Sequence, residues 1–253
     1  MAAKEPKNIL ILGGTAEARE LARRLTLERG QRVRVITSLA GRLEKVPVLS
    51  GEVRVGGFGG IGGLADYLSQ ESIGLVVDAT HPFSSTISDH AGAACTAGEV
   101  PRLQLLRPGW KMPPGAKVLE VESLARAAEV LPQFARRVFL TTGVRGLETF
   151  SNLDDLWFLV RVIEKPDVPP PLANHLLITG RPPYDFEGER ALLAEHDIDA
   201  LVAKHSGGDA TAAKIFAAAA AKVKIVLIRR PLPEPGPSAE TVDECMAWIE
   251  ARL

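Results

Sequence analysis

The chain lacks the residues and runs that several classes of protein require. It has two cysteines in 253 residues, Cys95 and Cys245, which form neither a CxxC pair nor a metal-ligand spacing. Two distant cysteines indicate a reducing compartment and no disulfide framework. No apolar run reaches the roughly 20 residues of a membrane helix. The N-terminal MAAKEPK has no signal-peptide pattern, so we expect a soluble cytoplasmic protein.

Several catalytic and binding signatures are also absent. The net charge of −1 does not supply the broad basic field of a non-specific nucleic-acid binder. The sequence has no HExxH, no G-x-S-x-G and no P-loop, so it offers no motif for a metal site, a nucleophile or NTP hydrolysis. These absences favour a reaction whose chemistry is carried by a cofactor, such as hydride transfer.

The strongest positive signal is the opening NILILGGTAE, in which four apolar residues lead into Gly13, Gly14 and Thr15. An apolar strand, a glycine turn and a helix are typical of a nucleotide-binding βα unit, whose helix start presents unpaired N–H groups to a phosphate. We expect Thr15 to add a hydroxyl donor. The spacing departs from G-x-G-x-x-G, because Thr15 and Ala18 occupy the later glycine positions. An ordinary tight turn without a ligand is the alternative.

The second predicted strand, Arg32–Thr37, ends without the acidic residue that holds the ribose 2′-hydroxyl in NAD sites. Ser38 and Arg42 follow it instead, which favours the 2′-phosphate of NADP. A solvated loop with one exposed arginine remains the alternative. Further along, six glycines occupy the eight positions 56–63. They indicate a flexible turn or a close backbone approach, and the sequence does not distinguish the two.

The next buried strand, Gly74–Asp78, is followed by Thr80, His81 and Pro82. Ligands of open α/β sheets bind at this carboxyl edge. We therefore expect His81 to touch the cofactor or substrate or to donate a proton, the alternative being a histidine held in a turn by backbone hydrogen bonds.

Three strand ends in the second half each combine a hydroxyl, a glycine and a cation. They are Thr141-Thr142-Gly143-Val144-Arg145, Thr179-Gly180-Arg181 and Lys204-His205-Ser206-Gly207-Gly208. The third predicts an anion nest at a helix start. Each is also compatible with a capped turn whose glycines serve the backbone alone. Their repetition favours a shared anionic ligand.

The alternation of strands and helices predicts two Rossmann-like α/β lobes, with mainly parallel sheets and helices on both faces. The Pro/Gly cluster Lys111–Gly115 places the boundary between an N-terminal lobe, residues 1–112, and a C-terminal lobe, residues 113–253. We expect a phosphate-bearing ligand, a dinucleotide, in the cleft between the lobes.

Taken together, these residues resemble the precorrin-6A reductases, the NADPH-dependent reductases of corrin-ring biosynthesis. The resemblance is carried by ILGGTAEAREL, VDATHPF and HDIDALVAKHSGGDATAAKI, and it runs from about Asn8 to Arg230. The stretch TGRPPYDFEGERALLAEH fits the same pattern, although many relatives read ARGPF there.

The resemblance implies a reaction and a site. NADPH would deliver a hydride to one double bond of a methylated, ring-contracted tetrapyrrole, and a proton would follow. Its implied cofactor residues are Gly13, Gly14, Thr15 and Glu17 under the phosphates, Ser38, Gly41 and Arg42 at the 2′-phosphate, and Thr80, His81, Pro82, Lys204, Ser206, Gly207 and Gly208 at the cleft. No metal is implied.

The expected substrate carries many carboxylates, which arginine binds well. The predicted substrate residues are Arg107, Thr142, Gly143, Arg145, Arg161 and Arg181. The predicted proton donors are His81 and Tyr184, with water as the alternative. We expect an anionic tetrapyrrole as the partner, with neither nucleic acid nor membrane, and a transient hand-over to neighbouring pathway enzymes.

Two other functions remain open at this stage: a nucleotide-sensing module without catalysis, and an S-adenosylmethionine-dependent corrin methyltransferase. The sequence does not determine whether the substrate contains cobalt.

Overall fold

The computed structural model describes residues 6–41 and 48–253, and the chain divides into two compact units. The first unit comprises Met1–Pro108 and Pro231–Leu253, and the second comprises Gly109–Arg230. Each unit contains a six-stranded sheet in which all neighbouring strands are parallel. The prediction of two Rossmann-like α/β lobes is confirmed. The predicted ligand cleft between them stays a prediction.

The elements alternate along the chain as the sequence predicts. The first part runs β1 (Lys7–Leu12), α1 (Ala16–Arg29), β2 (Val33–Leu39), β3 (Glu52–Val55), α2 (Ile61–Gln70), β4 (Ile73–Asp78), α3 (Ser85–Ala97) and β5 (Arg102–Leu105). The rest runs β6 (Val118–Val121), α4 (Leu124–Val130), β7 (Arg137–Leu140), β8 (Trp157–Val162), β9 (His175–Thr179), α5 (Phe186–Glu195), β10 (Ala200–Lys204), α6 (Ala213–Ala220), β11 (Lys224–Ile228), β12 (Ser238–Ala239) and α7 (Val242–Glu250). None of the helices within the described ranges combines the length and hydropathy of a bilayer-spanning segment.

The order of the strands follows from their burial. The first sheet has the order β12-β5-β4-β1-β2-β3, and the second has the order β6-β11-β10-β7-β8-β9. The apolar run Ile9–Leu12 lies next to the centre of the first sheet and is at most 2% exposed. Parallel strands covered by helices on both faces need such continuous apolar runs. Because the strands of each sheet are all parallel, their carboxyl ends lie at one edge of that sheet. The predicted site residues follow the strands at this edge.

The C-terminal segment corrects the predicted domain boundary. The sequence analysis assigned residues 113–253 to the second lobe, but Pro231–Leu253 belongs to the first unit. Ala239 of β12 pairs with Leu105 of β5, and Cys245 and Ile249 of α7 lie in the same apolar core as α1. The alternation of strands and helices does not reveal which sheet a strand joins, because β12 forms its contacts with residues more than a hundred positions earlier.

Candidate nucleotide-binding and active site

The turn between β1 and α1 brings backbone amides to the carboxyl edge of the first sheet. Gly13 donates its N–H to the Ser38 carbonyl at 2.9 Å, and a Cβ at Gly13 would lie 2.8 Å from Thr37 Cγ2. Gly14 has a φ of +115°, and a Cβ there would meet no atom of the described chain within 4 Å. Gly13 is therefore required for close packing and Gly14 for the backbone conformation, and the space over Gly14 is open to a ligand.

Thr15 has a different role from the ligand donor that the sequence predicts. Its Oγ1 accepts the N–H of Ala18 at 3.1 Å and donates to the carbonyl of Ala79 at 2.8 Å. A hydroxyl has a single proton, so Thr15 does not donate to a phosphate while this bond holds. Thr15 instead caps α1 and ties its start to the end of β4, which fixes the direction of the helix amides.

Glu17 and Arg107 contact each other, although the sequence analysis placed one at the cofactor and the other at the substrate. Arg107 Nη1 lies 2.7 Å from Glu17 Oε2, and their side chains are 15% and 24% exposed. A carboxylate in the first turn of a helix interacts favourably with the dipole but repels a bound phosphate. The ion pair reduces that repulsion and orients Arg107 within the first unit.

The end of β2 contains an arginine that the sequence analysis missed. Ser38 is buried there, and Gly41 follows with a φ of +87°. Arg42 lies outside the described residues, so its contact with a 2′-phosphate stays a prediction. Arg54 of β3 donates from Nη1 to Ser38 Oγ at 3.2 Å. The sheet register, which pairs Ser38 with Arg54, is the signal that identifies it.

The turn after β4 is organised by Asp78, which the sequence analysis did not select. Asp78 Oδ1 accepts from the Thr80 N–H at 3.2 Å and from the Thr80 hydroxyl at 2.7 Å. His81 Nδ1 accepts the N–H of Phe83 at 3.2 Å, which assigns the proton of the neutral ring to Nε2. Thr80, His81 and Pro82 line one cavity of about 30 Å³, room for about one water. The structure therefore brings the three predicted residues together.

A larger cavity of the first unit, about 480 Å³, lies away from these residues. It is lined by the C-terminal half of α3, by Arg102 and by residues 234–237, and by none of the predicted site residues. Ligands of open parallel sheets bind beyond the carboxyl ends of the strands. We therefore place the candidate site at the strand ends and not in this cavity.

In the second unit, neighbouring strands β7 and β10 bring two predicted strand ends together. Lys204 donates from Nζ to the Thr142 carbonyl at 2.9 Å. Burial, followed by the charge of Arg145, lowers the pKa of Lys204. The Thr142 hydroxyl is buried without a hydrogen-bond partner in the part of the chain that the structure describes. Gly143, the next residue, has a left-handed φ of +83°. The Thr142 hydroxyl beside it is a donor available to a ligand.

The Ser206–Gly208 turn differs from the helix start that the sequence predicts. Gly207 and Gly208 have φ values of 65° and 81°, and the Ser206 N–H donates to the Lys204 carbonyl at 2.6 Å. A 3-10 turn separates Gly208 from α6. Trp110 Nε1 donates to the Gly208 carbonyl at 2.8 Å. The turn is therefore held by Trp110, and the dipole of α6 does not begin at its glycines.

Arg161, which the sequence predicts to bind substrate, is buried and paired with a carboxylate of its own unit. Its guanidinium forms a buried ion pair with Glu189, with Nη2 3.1 Å from Oε2, and the two residues are 8% and 3% exposed. It also stacks on the ring of Tyr184, 3.8 Å from the centroid. A buried cation that a carboxylate already neutralises reaches a substrate only by breaking the pair, which is costly. The continuous apolar run around Arg161 on β8 is the sequence signal that could have indicated this burial.

Tyr184 lies beside this pair with its own proton engaged. Its hydroxyl donates to the Gly180 carbonyl at 2.7 Å. Burial raises the pKa of Tyr184, and the charge of Arg161 opposes the effect. A proton donor at this position would first have to break the bond to Gly180. Arg145 and Arg181 are exposed, and Arg181 pairs with Glu164.

Lys214 of α6 is a buried cation that the sequence analysis missed. Its residue is 6% exposed, and Nζ lies 5.4 Å from the centroid of the Trp110 ring. Burial, followed by the charge of Arg161, lowers the pKa of Lys214 to about 7, while Glu189 acts in the opposite direction. A lone lysine in an alanine-rich helix is the only sequence signal for it. The second unit therefore buries two basic side chains against one carboxylate.

Comparisons with known proteins agree on one family. The family model described as precorrin-6x reductase CbiJ/CobK matches residues 8–250. The precorrin-6A reductase of Mycobacterium tuberculosis (strain ATCC 25618 / H37Rv) is 45% identical over 242 residues, which cover 95% of this chain and 96% of that protein. The cobalt-precorrin-6A reductase of Priestia megaterium is 28% identical, with 93% and 95% covered. A solved structure, CobK precorrin-6A reductase, matches with a TM-score of 0.90 at 34% identity and covers 97% of this chain and 96% of that chain.

Proposed function

Because this chain belongs to the precorrin-6x reductase family, we propose that it is an oxidoreductase that reduces precorrin-6A in cobalamin biosynthesis with a nicotinamide cofactor. The observation that carries the proposal is the match to a solved precorrin-6A reductase over nearly the whole chain. The two alternatives, a nucleotide-sensing module and a corrin methyltransferase, receive no support from the relatives.

NADPH is the proposed form of the cofactor, and the first unit has the features that fit it. Helix α1 begins at Ala16, close to Gly14, where an added Cβ would meet no described atom within 4 Å. The helix dipole favours a pyrophosphate at such a position. The β2 end, Ser38 to Gly41, contains a hydroxyl and no acid, which favours a 2′-phosphate over a free 2′-hydroxyl. NADPH supplies the hydride when it is bound, and the protein supplies position and charge.

Among the substrate contacts that we propose, Arg107 belongs to the first unit, and the others belong to the second unit. The buried Thr142 hydroxyl and the exposed Arg145 lie on one strand-end loop around Gly143. A hydroxyl, a guanidinium and bare backbone amides together suit the carboxylates of a tetrapyrrole. Arg181 is a further candidate at the surface. Lys204, whose Nζ is held by the Thr142 carbonyl, adds a positive charge to the same edge.

His81 is the proton donor that we favour over Tyr184. As a general acid His81 has to be the imidazolium ion, whose Nε2 passes its proton to the substrate. The Nδ1 contact with the Phe83 N–H, at 3.2 Å, opens when the ring is protonated. Tyr184 would have to give up its bond to Gly180. The ordinary pKa of histidine lies close to neutral pH, which suits general acid catalysis.

The metal-free ring is the proposed substrate, because the identity is 45% to a precorrin-6A reductase and 28% to a cobalt-precorrin-6A reductase. The test is an anaerobic turnover assay that follows NADPH absorbance with metal-free and cobalt-containing substrate side by side. We expect kcat/KM to be at least about tenfold higher for the metal-free ring, a difference of about 1.4 kcal/mol in transition-state binding. Equal turnover would contradict the metal preference, and no oxidation of NADPH with either ring would contradict the activity.

A cytoplasmic location and a transient hand-over of the product to neighbouring pathway enzymes complete the proposal. Cell fractionation and co-purification from a strain that makes corrins test these two points.

A further inference from the structure

Arg54 is bound by the glycine-rich segment 56–63, for which the proposed reaction gives no role. The Arg54 guanidinium donates from Nη1 to the Gly56 carbonyl at 2.6 Å and from Nη2 to the Gly57 carbonyl at 2.8 Å. It lies 3.8 Å from the Phe58 ring centroid and 5.1 Å from the Tyr67 ring centroid. The glycine-rich segment therefore folds back over the end of β3 and holds the arginine in a fixed plane.

The charge of Arg54 is not balanced within the described ranges, 6–41 and 48–253. Its hydrogen-bond acceptors there are two carbonyls and the Ser38 hydroxyl, and no carboxylate contacts it. Arg34, on the neighbouring strand β2, differs because Glu52 and Glu71 both accept from it. A fixed guanidinium without an acidic partner attracts an anion.

The position of Arg54 indicates which anion. Ser38 Oγ accepts from Arg54, and the Ser38 carbonyl accepts from Gly13. The glycine turn, the end of β2 and Arg54 therefore form one continuous edge. In dinucleotide-binding sheets the end of β2 reads the ribose next to adenine. The described chain also has no acceptor for the Arg54 Nε–H or for the Ser38 hydroxyl proton, so both remain donors for a ligand.

We infer that Arg54, held by the Gly56 and Gly57 carbonyls, binds the 2′-phosphate of the cofactor together with Ser38 and makes the enzyme prefer NADPH to NADH. The inference rests on the proposed use of a nicotinamide cofactor. The Phe58 and Tyr67 rings keep the guanidinium plane in place, and the glycine-rich segment is a close backbone approach that forms one wall of the phosphate site.

The test measures dissociation constants of NADPH and NADH for the wild type, Arg54→Gln and Arg54→Lys by fluorescence titration. We expect Arg54→Gln to weaken NADPH by about 10- to 100-fold, since a charge-assisted contact to phosphate is lost. NADH should weaken by less than about threefold. Arg54→Lys keeps the charge without the planar fork and should lie between the wild type and Arg54→Gln. Arg34→Gln is the matched control, and its ratio of the two dissociation constants should equal that of the wild type.

Binding of adenosine 2′,5′-bisphosphate gives a second readout, which needs no nicotinamide and reports the phosphate alone. A circular-dichroism spectrum of each variant confirms that it folds, and Arg54→Lys serves as the binding test if Arg54→Gln does not fold. Equal weakening of NADPH and NADH would overturn the inference and leave Arg54 with a role in loop structure only. An unchanged NADPH affinity would also overturn it, and Arg42→Gln in parallel would show whether that residue binds the phosphate instead. A wild type that binds both cofactors equally would contradict the NADPH proposal itself.

Discussion

Two arginines, one in each unit, are stacked on aromatic rings and yet have different partners. Arg54 in the first unit lies over Phe58 and donates to carbonyls and a hydroxyl. Arg161 in the second unit lies over Tyr184 and is paired with the carboxylate of Glu189. The first side chain is half-buried at a strand end, and the second is almost fully buried.

The difference shows that the partner of an arginine decides whether it is available to a ligand. A carboxylate in the protein neutralises the guanidinium, so a second anion gains little there. Carbonyls orient the guanidinium and leave its charge in place. Arg161 was predicted from the sequence and Arg54 was not, because the position of an arginine along the chain does not reveal its partners.

The largest effect that tests this comparison is a loss of stability in the second unit. Glu189→Gln keeps a hydrogen-bond acceptor but leaves Arg161 as an uncompensated buried charge. We expect the free energy of unfolding to fall by about 3–5 kcal/mol, measured by urea denaturation and tryptophan fluorescence. Trp110 and Trp157 lie in the second unit, so fluorescence reports mainly on it.

Glu187→Gln on the same helix is the control, because Glu187 is exposed and pairs with Arg190 at the surface. It should leave stability unchanged. A double variant, Arg161→Met with Glu189→Leu, should recover most of the loss, since an apolar pair removes both buried charges. A Glu189→Gln protein as stable as the wild type would break the comparison between the two arginines.

A smaller effect concerns the pH dependence of stability through Lys214. Its pKa of about 7 in the folded protein lies below the ordinary value of 10.5. Between these values the unfolded chain holds a proton that the folded chain lacks, so stability rises with pH, by at most about 1.4 kcal/mol per unit. Below pH 7 Lys214 is protonated in both the folded and the unfolded chain. The folded protein then bears the full free-energy cost of the buried charge.

Lys214→Met removes this slope. The variant should be more stable than the wild type at pH 6, and the gap should narrow as the pH rises to 9, in urea denaturation at each pH. Lys165→Met, at an exposed loop position, should follow the wild type at every pH. Parallel curves for the wild type and Lys214→Met would show that the buried lysine does not titrate in this range.

The smallest expected effect is that of Tyr184→Phe on turnover. The hydroxyl bonds only to the Gly180 carbonyl among the described residues, so we expect kcat to fall by less than about threefold.

His81→Gln, in contrast, removes the proposed general acid and should lower kcat by about 100-fold or more with little change in the KM for NADPH. If the two variants exchanged these effects, Tyr184 and not His81 would be the proton donor.

Much of the first unit could be predicted, because its signals are local. The apolar run Ile9–Leu12 and the glycines after it indicate a strand and a tight turn within a few residues, and the structure has both. The predicted strands Arg32–Thr37 and Gly74–Asp78 likewise correspond to β2 and β4, with ends that differ by at most two residues. The resemblance to precorrin-6A reductases, carried by short motifs, agrees with the family of the relatives.

The partners of polar side chains could not be predicted, because they lie far apart in sequence. The Thr15 proton goes to Ala79, Glu17 pairs with Arg107, and Arg161 pairs with Glu189. A threonine or an arginine is written with the same letter in the sequence whether its side chain contacts a ligand or another residue of the chain.

The amino-acid sequence by itself determined the strands, the helices, the glycine turns and the family, since apolar periodicity and backbone freedom act over neighbouring residues. Only the tertiary structure decided that β12 returns to the first sheet, that Asp78 holds Thr80, and that Arg54 lies beside Ser38. Those outcomes depend on which strands become neighbours, and the energy of that choice is spread over the whole core.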